Sequence, residues 1–185
     1  MERVASHVGI NVGDTRYTDL DYADDFVLFG NSIQELGSAL QQFHTIAGHL
    51  GLRLSWQKTK VQNLGAGDDV GDVTICGQTV EGVSKFVYLG SQQSSMDRCT
   101  DEVLRRIGIA SSAMNSMQRV WRHQGLSTET KFRPYRVCIL SILLYGSECW
   151  TLPREDLRRL EAFHTNSHRQ ILYSSGSISS AMTKF

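Results

Sequence analysis

Two carboxylates stand side by side in the run Leu20-Asp21-Tyr22-Ala23-Asp24-Asp25-Phe26-Val27-Leu28-Phe29-Gly30. The residues before them alternate and those after them are apolar. This predicts two strands, over 17–22 and 26–29, with Ala23-Asp24-Asp25 at the turn. Adjacent like charges repel, and each costs desolvation. A divalent cation turns that cost into a use. Oxygen ligands suit Mg²⁺, which takes one or two carboxylates and fills its other positions with water and substrate phosphates. Asp in a hairpin turn also has a plain local reason, because its side chain bonds the nearby backbone. By themselves, Asp24 and Asp25 therefore mark a candidate metal site and nothing more.

The elements around the pair follow from periodicity. Ser32-Ile33-Gln34-Glu35 has the form of a capping box. Ile33, Leu36, Leu40, Phe43, Ala47 and Leu50 then recur at helical spacing, and Gly51 stops the helix. Short strands are expected at 52–54 and 61–64, flanking Gln57-Lys58-Thr59-Lys60. Residues 65–72, rich in Gly and Asp, read as a loop. Further strands are expected at 73–76, 79–80 and 86–89. Together these make half of an α+β sheet domain, over residues 1–96. The texture changes near residue 97. Val103, Ile107, Ala110, Met114, Met117 and Trp121 stripe a helix over 102–122, ended by Gly125. A second helix spans 128–146, with Pro134 as a kink. A third starts near Pro153 and runs to about residue 172. Residues 97–172 thus form a helical region. The remaining 173–185, small and polar, are expected to be disordered.

With 185 residues and 41% hydrophobic content, the chain can bury a core and is not disordered by composition. Its formal net charge of zero hides an asymmetry. Residues 1–100 carry 7 Lys and Arg against 12 Asp and Glu, a balance of −5; residues 101–185 carry 12 against 7, a balance of +5. An acidic half before a basic half fits a metal-binding part joined to one that meets phosphates. Cys76, Cys99, Cys138 and Cys149 show no Cys-x-x-Cys spacing, which argues against a disulfide framework or zinc knuckle and for a reducing compartment. Cys138 and Cys149 lie in or beside apolar stretches, where they are expected to pack. Met1-Glu2-Arg3-Val4 shows no hydrophobic signal, and the apolar run 137–145 is too short to span a bilayer. An intracellular protein of nucleus or cytoplasm, with no membrane partner, is expected. His164 and His168 share a helix face, but Thr165 stands where a zinc protease needs Glu.

Tyr22-Ala23-Asp24-Asp25 between two apolar strands resembles the catalytic hairpin of reverse transcriptases, especially those of non-LTR (LINE-like) retrotransposons. The resemblance runs over about residues 10–172. It implies an RNA-directed DNA polymerase, a nucleotidyltransferase, with a partial palm of antiparallel sheet and helix followed by a helical thumb-like bundle. Asp24 and Asp25 would hold Mg²⁺ or Mn²⁺, one ion activating the primer hydroxyl and one neutralising the leaving pyrophosphate. Tyr22 would lie near the primer terminus, where the small Ala23 lets the backbone approach. Gly51 to Lys60 resembles the family's next motif, with Lys58, or alternatively Lys60, meeting the nucleotide triphosphate. Phe86-Val87-Tyr88-Leu89-Gly90-Ser91 resembles the primer grip, so Tyr88, Leu89 and Gly90 would hold the primer. Arg105-Arg106-Ile107, Val120-Trp121-Arg122, Leu143 to Trp150 and Leu160 to His164 resemble pieces of the thumb. Arg105, Arg106, Arg119 and Arg122 would meet the phosphates of a template–primer duplex. Trp121, Tyr145 and Trp150 would be core aromatics. The implied partners are an RNA template, a DNA primer and dNTPs.

The family's third carboxylate sits on a separate strand well upstream. Only 23 residues precede Asp24, and Asp14, Asp19 and Asp21 are too close to the hairpin to replace it. Two carboxylates of three should bind metal weakly and lose positioning of the nucleophile. The expectation is a truncated, retrotransposon-derived fragment that is inactive alone. A second polypeptide could supply the other palm half, whose absence would leave a sheet edge and an apolar face exposed. The alternatives are a nucleic-acid-binding module and a non-functional remnant.

Overall fold

The computed structural model describes residues 8–65, 67–95 and 99–174. Most of the tail expected to be disordered lies outside them. The chain forms two compact units, Met1–Ser84 and Lys85–Phe185. Helices and mainly antiparallel strands coexist, as the α+β class requires.

The first unit opens with β1 (Ile10–Val12) and β2 (Thr15–Tyr17), antiparallel across a turn in which Gly13 has φ 59°. Sequence periodicity did not predict this hairpin. Next come β3 (Asp19–Tyr22) and β4 (Asp25–Leu28), paired from Asp19↔Leu28 to Tyr22↔Asp25. The turn is therefore Ala23-Asp24, and Asp25 already belongs to a strand. Helix α1 (Ile33–His49) starts where the capping signal placed it. Ser32 Oγ accepts the Glu35 N–H at 3.2 Å, and the Glu35 carboxylate accepts the Asn31 N–H at 3.2 Å. It ends as expected at Gly51, whose φ of 76° lets the Leu52 N–H turn back to the Ala47 carbonyl at 2.9 Å.

Residues 52–54 are not a strand. The Lys58 N–H, the Thr59 N–H and the Thr59 hydroxyl all bond the Ser55 carbonyl at 3.0 Å, and this local turn replaces a ladder. A short strand β5 (Lys60–Val61) runs parallel to β7 (Gln78–Gly82), which pairs antiparallel with β6 (Val73–Ile75). Instead of one sheet, the unit's described strands form three small ones, β1-β2, β3-β4 and β5-β7-β6. Each strand is two to five residues long, and all but β5, which runs parallel to β7, pair within a hairpin. The stripe of α1 is only partly covered. Ala39 and Ala47 are buried and Phe43 stacks on Phe26, whereas Ile33 is 39% and Leu50 73% exposed.

In the second unit β8 (Lys85–Tyr88) and β9 (Ser91–Ser94) pair around Leu89-Gly90. Both turn residues have positive φ, 47° and 78°, the type I′ geometry that matches strand twist. The expected helix 102–122 is two helices, α2 (Thr100–Ser116) and α3 (Gln118–Arg122). They bend at Met117, where the buried Trp121 ring donates its Nε1–H to the Met114 carbonyl at 2.8 Å. The second expected helix is also broken. Helix α4 (Thr128–Pro134) passes into a π-helical turn over Tyr135–Ile139 and then α5 (Leu140–Leu143). Pro134 has no N–H to give and its ring crowds the preceding turn, so the helix widens there. Gly146, with φ 74°, ends the segment, and α6 (Arg154–Ser174) follows Pro153. Val103, Ala110, Met114, Trp121, Tyr135, Ile139, Leu143, Leu160 and Ile171 form the core, so the helical stripe is read correctly. Tyr145 is not a core aromatic. It is 51% exposed and its hydroxyl donates to the Leu89 carbonyl at 2.8 Å. All four cysteines are free thiols, and Cys149 is exposed instead of packed.

Candidate catalytic hairpin and nucleic-acid interface

The β3–β4 register decides where each side chain of the hairpin can act. Directly paired residues share a face, and successive residues alternate. Asp19, Asp21, Phe26 and Leu28 therefore share one face, and Leu20, Tyr22, Asp25 and Val27 the other. Helix α1 covers the first face, where the Phe26 and Phe43 rings stack with centroids 4.4 Å apart and 8° between planes. Leu28 packs on the cluster of Val8 and Ala39. The second face stays open, with Leu20 43% and Tyr22 64% exposed. Asp25 thus points with Tyr22 away from the helix, while Asp24 projects from the turn. Both are exposed, and neither carboxylate has a hydrogen bond or ion pair among the described residues. Asp21 faces the other way, and that rules it out as a third member of the pair.

Ala23 holds φ 54°, a left-handed backbone that strains any residue with a Cβ by about 1 kcal/mol or more. Ala23→Gly is expected to stabilise the first unit by up to ~1 kcal/mol, less the added freedom of the unfolded chain. A urea melt beside the parent protein checks it, and a loss of stability would show that the turn is not strained.

Two carboxylates at an exposed tip suit a hydrated Mg²⁺ or Mn²⁺, which needs few protein ligands. Among the described residues no group of three or more His, Cys, Asp or Glu converges on a point, so the rest of such a shell would be water and phosphate. The two lysines stand differently. Lys60 Nζ is paired with the Glu81 carboxylate, on the strand beside it. Lys58 is exposed on the turn after Trp56, and its ammonium has no partner among the described residues.

In the second unit the turn between β8 and β9 is held from below. Glu102 on α2 is buried, and its carboxylate accepts from Arg105 Nε at 2.7 Å, Arg106 Nε at 2.6 Å and the Gln92 N–H at 3.0 Å. Both guanidinium groups also donate to the Gly90 carbonyl. The Arg106 guanidinium lies over the Tyr145 ring, 4.5 Å from its centroid. Burial by itself would raise the Glu102 carboxyl, but hydrogen bonds from Arg105, Arg106 and Gln92 outweigh it and hold the group below its ordinary range. Arg106 is buried, so the structure makes it a clamp on the Leu89-Gly90 turn. Arg105, partly exposed, shares that work. Neither is placed as a free phosphate ligand. Sequence reading missed Glu102 and the Tyr145 hydroxyl as the other parts of this clamp. A signal existed: Glu102 and Arg106 are four apart, and Arg106 falls among the apolar positions Val103, Ala110 and Met114.

Arg119 and Arg122 stand otherwise. Both are exposed on α3, free of ion pairs among the described residues, and line a shallow open depression with Asn115, Ser116, Gln118 and His123. No acidic residue lines it.

No model of a known protein family matches the chain, and no solved structure matches it. One curated relative does, an uncharacterized transposon-derived protein of Caenorhabditis elegans. The chain is similar to a transposon-derived protein. Identity is 27% over an alignment of 169 residues, and the match covers 88% of this chain and 59% of the relative. The chain therefore spans about three fifths of that protein's length. Among the described residues no helix is long and apolar enough to cross a membrane.

Proposed function

We propose that this chain is a fragment of a retrotransposon-type reverse transcriptase. In this reading the first unit carries the catalytic hairpin and the second holds nucleic acid. The supporting observation is the hairpin tip, where Asp24 and Asp25 stand unpaired beside the exposed Tyr22, on a turn braced by the Phe26–Phe43 stack. The likeness to a transposon-derived protein points the same way. Asp24 and Asp25 would hold Mg²⁺ or Mn²⁺, which supplies charge neutralisation for phosphoryl transfer. Lys58 offers a point charge for a triphosphate. The clamped turn of Tyr88, Leu89 and Gly90 offers a fixed surface to a primer strand, and Arg119 and Arg122 offer cations to a duplex backbone. Among the described residues two carboxylates come together at this tip and not three, so in this reading polymerisation needs a third carboxylate from another strand.

Mn²⁺ titration followed by electron paramagnetic resonance tests the metal half. Weak saturable binding that disappears in Asp24→Asn and Asp25→Asn is expected, and binding indifferent to both changes would sink the reading. Primer extension on an RNA template with Mg²⁺ or Mn²⁺ should give no dNTP-dependent product. Product that vanishes in Asp24→Ala would show that the two carboxylates suffice.

A nucleic-acid-binding module without chemistry is the second reading, favoured by the free Arg119 and Arg122. The logarithm of affinity for an RNA–DNA duplex should fall linearly with log salt, and removing one arginine–phosphate pair should flatten the slope by about 0.9. Arg119→Glu and Arg122→Glu are each expected to do so. An unchanged slope in the double variant would remove this depression from the interface.

A further inference from the structure

We propose that His164 and His168 form a two-histidine site for a borderline transition-metal dication of the Zn²⁺, Ni²⁺ or Cu²⁺ type. The site is separate from the hairpin and independent of the polymerase reading. The two residues sit one turn apart on α6, with ring centroids 4.0 Å apart and 50° between planes. Pairs of histidines at this spacing present two imidazole nitrogens to a common point. At 4.0 Å the rings are slightly closer than a bridging metal needs, given metal–nitrogen bonds of about 2.0–2.1 Å. His164 is exposed, so a small rotation of its ring about the Tyr135 contact can open the pair.

The surroundings prepare both rings. His168 is wedged edge-on between Phe132, at 4.8 Å, and Tyr135, at 5.1 Å, which fixes its direction. Burial, then the neighbouring His164 and the Arg136 guanidinium, hold its imidazole below the ordinary histidine value. His164 Nδ1 lies 2.8 Å from the Tyr135 hydroxyl. Tyr135 is buried, and in the tautomer whose Nδ1–H donates to its phenol oxygen His164 keeps Nε2 to ligate. Metal-bound histidines are oriented through the second nitrogen in this way. Tyr135 belongs to the π-helical turn made by Pro134, so the helix irregularity is what brings its hydroxyl to α6. Arg136 is the charge that opposes a dication here, so the site binds more weakly than a closed four-ligand centre. Water fills the open positions. Imidazole nitrogens select these metals over Mg²⁺, which the hairpin carboxylates prefer.

Co²⁺ titration of the full chain at about pH 7.5, a unit above the ordinary histidine value, reads the site by visible absorption. One Co²⁺ per chain is expected, with a nitrogen–oxygen ligand field and no thiolate charge-transfer band, displaced by Zn²⁺. His164→Ala, a change at an exposed position, should lower affinity at least ten-fold without loss of helical circular dichroism. His168→Ala should do the same. Tyr135→Phe should lower affinity about 10–100-fold. No saturable binding, binding unchanged in His164→Ala, or a thiolate band that assigns the metal to the cysteines would each overturn the proposal.

Discussion

Glu102→Ala destabilises the second unit by about 3–5 kcal/mol, the usual result of removing one partner from a buried charge pair. The total stability of a domain is about 5–15 kcal/mol, so this one change brings the helices close to unfolding. The loss has three parts. The buried Arg106 guanidinium keeps its Gly90 and Tyr145 partners but is left with an uncompensated charge. Arg105 loses a bidentate partner. The Gln92 N–H loses its acceptor, and with it β9 loses a tie to α2. Urea melts followed by the fluorescence of Trp121, which lies in this core, measure the effect. The double change of Glu102→Ala with Arg106→Leu should recover part of the stability, because it removes the orphaned charge along with the carboxylate. If the single variant costs under ~1 kcal/mol, the clamp is not a determinant of the fold. The same carboxyl gives a pH dependence. Its value in the folded state is lowered, so its contribution is complete above the ordinary carboxyl range, near pH 4.3 and upward. The contribution declines as pH falls below that range toward the folded value. The parent protein should therefore lose more stability between about pH 5 and pH 3 than Glu102→Gln, whose side chain does not titrate. Because the clamp grips the Gly90 carbonyl, loosening it should also loosen the turn of Tyr88, Leu89 and Gly90 that we propose meets a primer.

Elements whose own residues carry their instructions were legible in the sequence. The hairpin from Asp19 to Leu28 alternates, and α1 has Ser32 and Glu35 at one end and Gly51 at the other. The stripe through Val103, Ala110 and Met114 does pack the core of the second unit. Elements made by their neighbours were not legible. Strand β9 reads Ser-Gln-Gln-Ser, with no apolar alternation, and is held by its turn and by the Gln92 N–H on Glu102. The bend at Met117 has no Gly or Pro to announce it; the Trp121 indole N–H satisfies the Met114 carbonyl in the last turn of α2, tying α3 back across the bend. Pro134 announced a kink, but not that the turn after it would be π-helical or would aim Tyr135 at His164. Among the site residues, the chemistry of Asp24 and Asp25 followed from their types and the turn. The inward direction of Arg106 depended on a buried acid one helical turn away.

Gly82→Ala is expected to be the most damaging single methyl in the first unit, at about 3 kcal/mol or more, above the usual cost of overpacking. A Cβ at that position would lie 1.9 Å from the Val70 carbonyl oxygen and 2.5 Å from that of Gly71. Both are backbone atoms, so no side-chain rotation relieves the clash. Gly82 also cannot back away. It sits at the end of β7, paired with Val61 on one side; its N–H donates to the Asp72 carboxylate at 3.1 Å; and the next N–H, of Val83, bonds the Val61 carbonyl at 2.9 Å. The methyl must therefore push out the 70–72 segment or open the β5–β7 pair. Gly71→Ala is the matched control. A Cβ there meets nothing within 4 Å, although the residue belongs to the same loop, and it should change stability by less than ~0.5 kcal/mol. Hydrogen exchange distinguishes the two. In Gly82→Ala, the amides of Val61 and Val83 should exchange far faster, while those of the second-unit core around Trp121 should not change. Equal protection in both variants would mean that the loop yields freely. Slowing or speeding in both units together would mean that the chain unfolds as one cooperative body. The outcome bears on the hairpin as well. Helix α1 packs on β6 and also backs the hairpin through Phe43 and Phe26. Disordering the β5-β7-β6 sheet should loosen the brace that holds Asp24 and Asp25 in place, and Mn²⁺ affinity should fall with it.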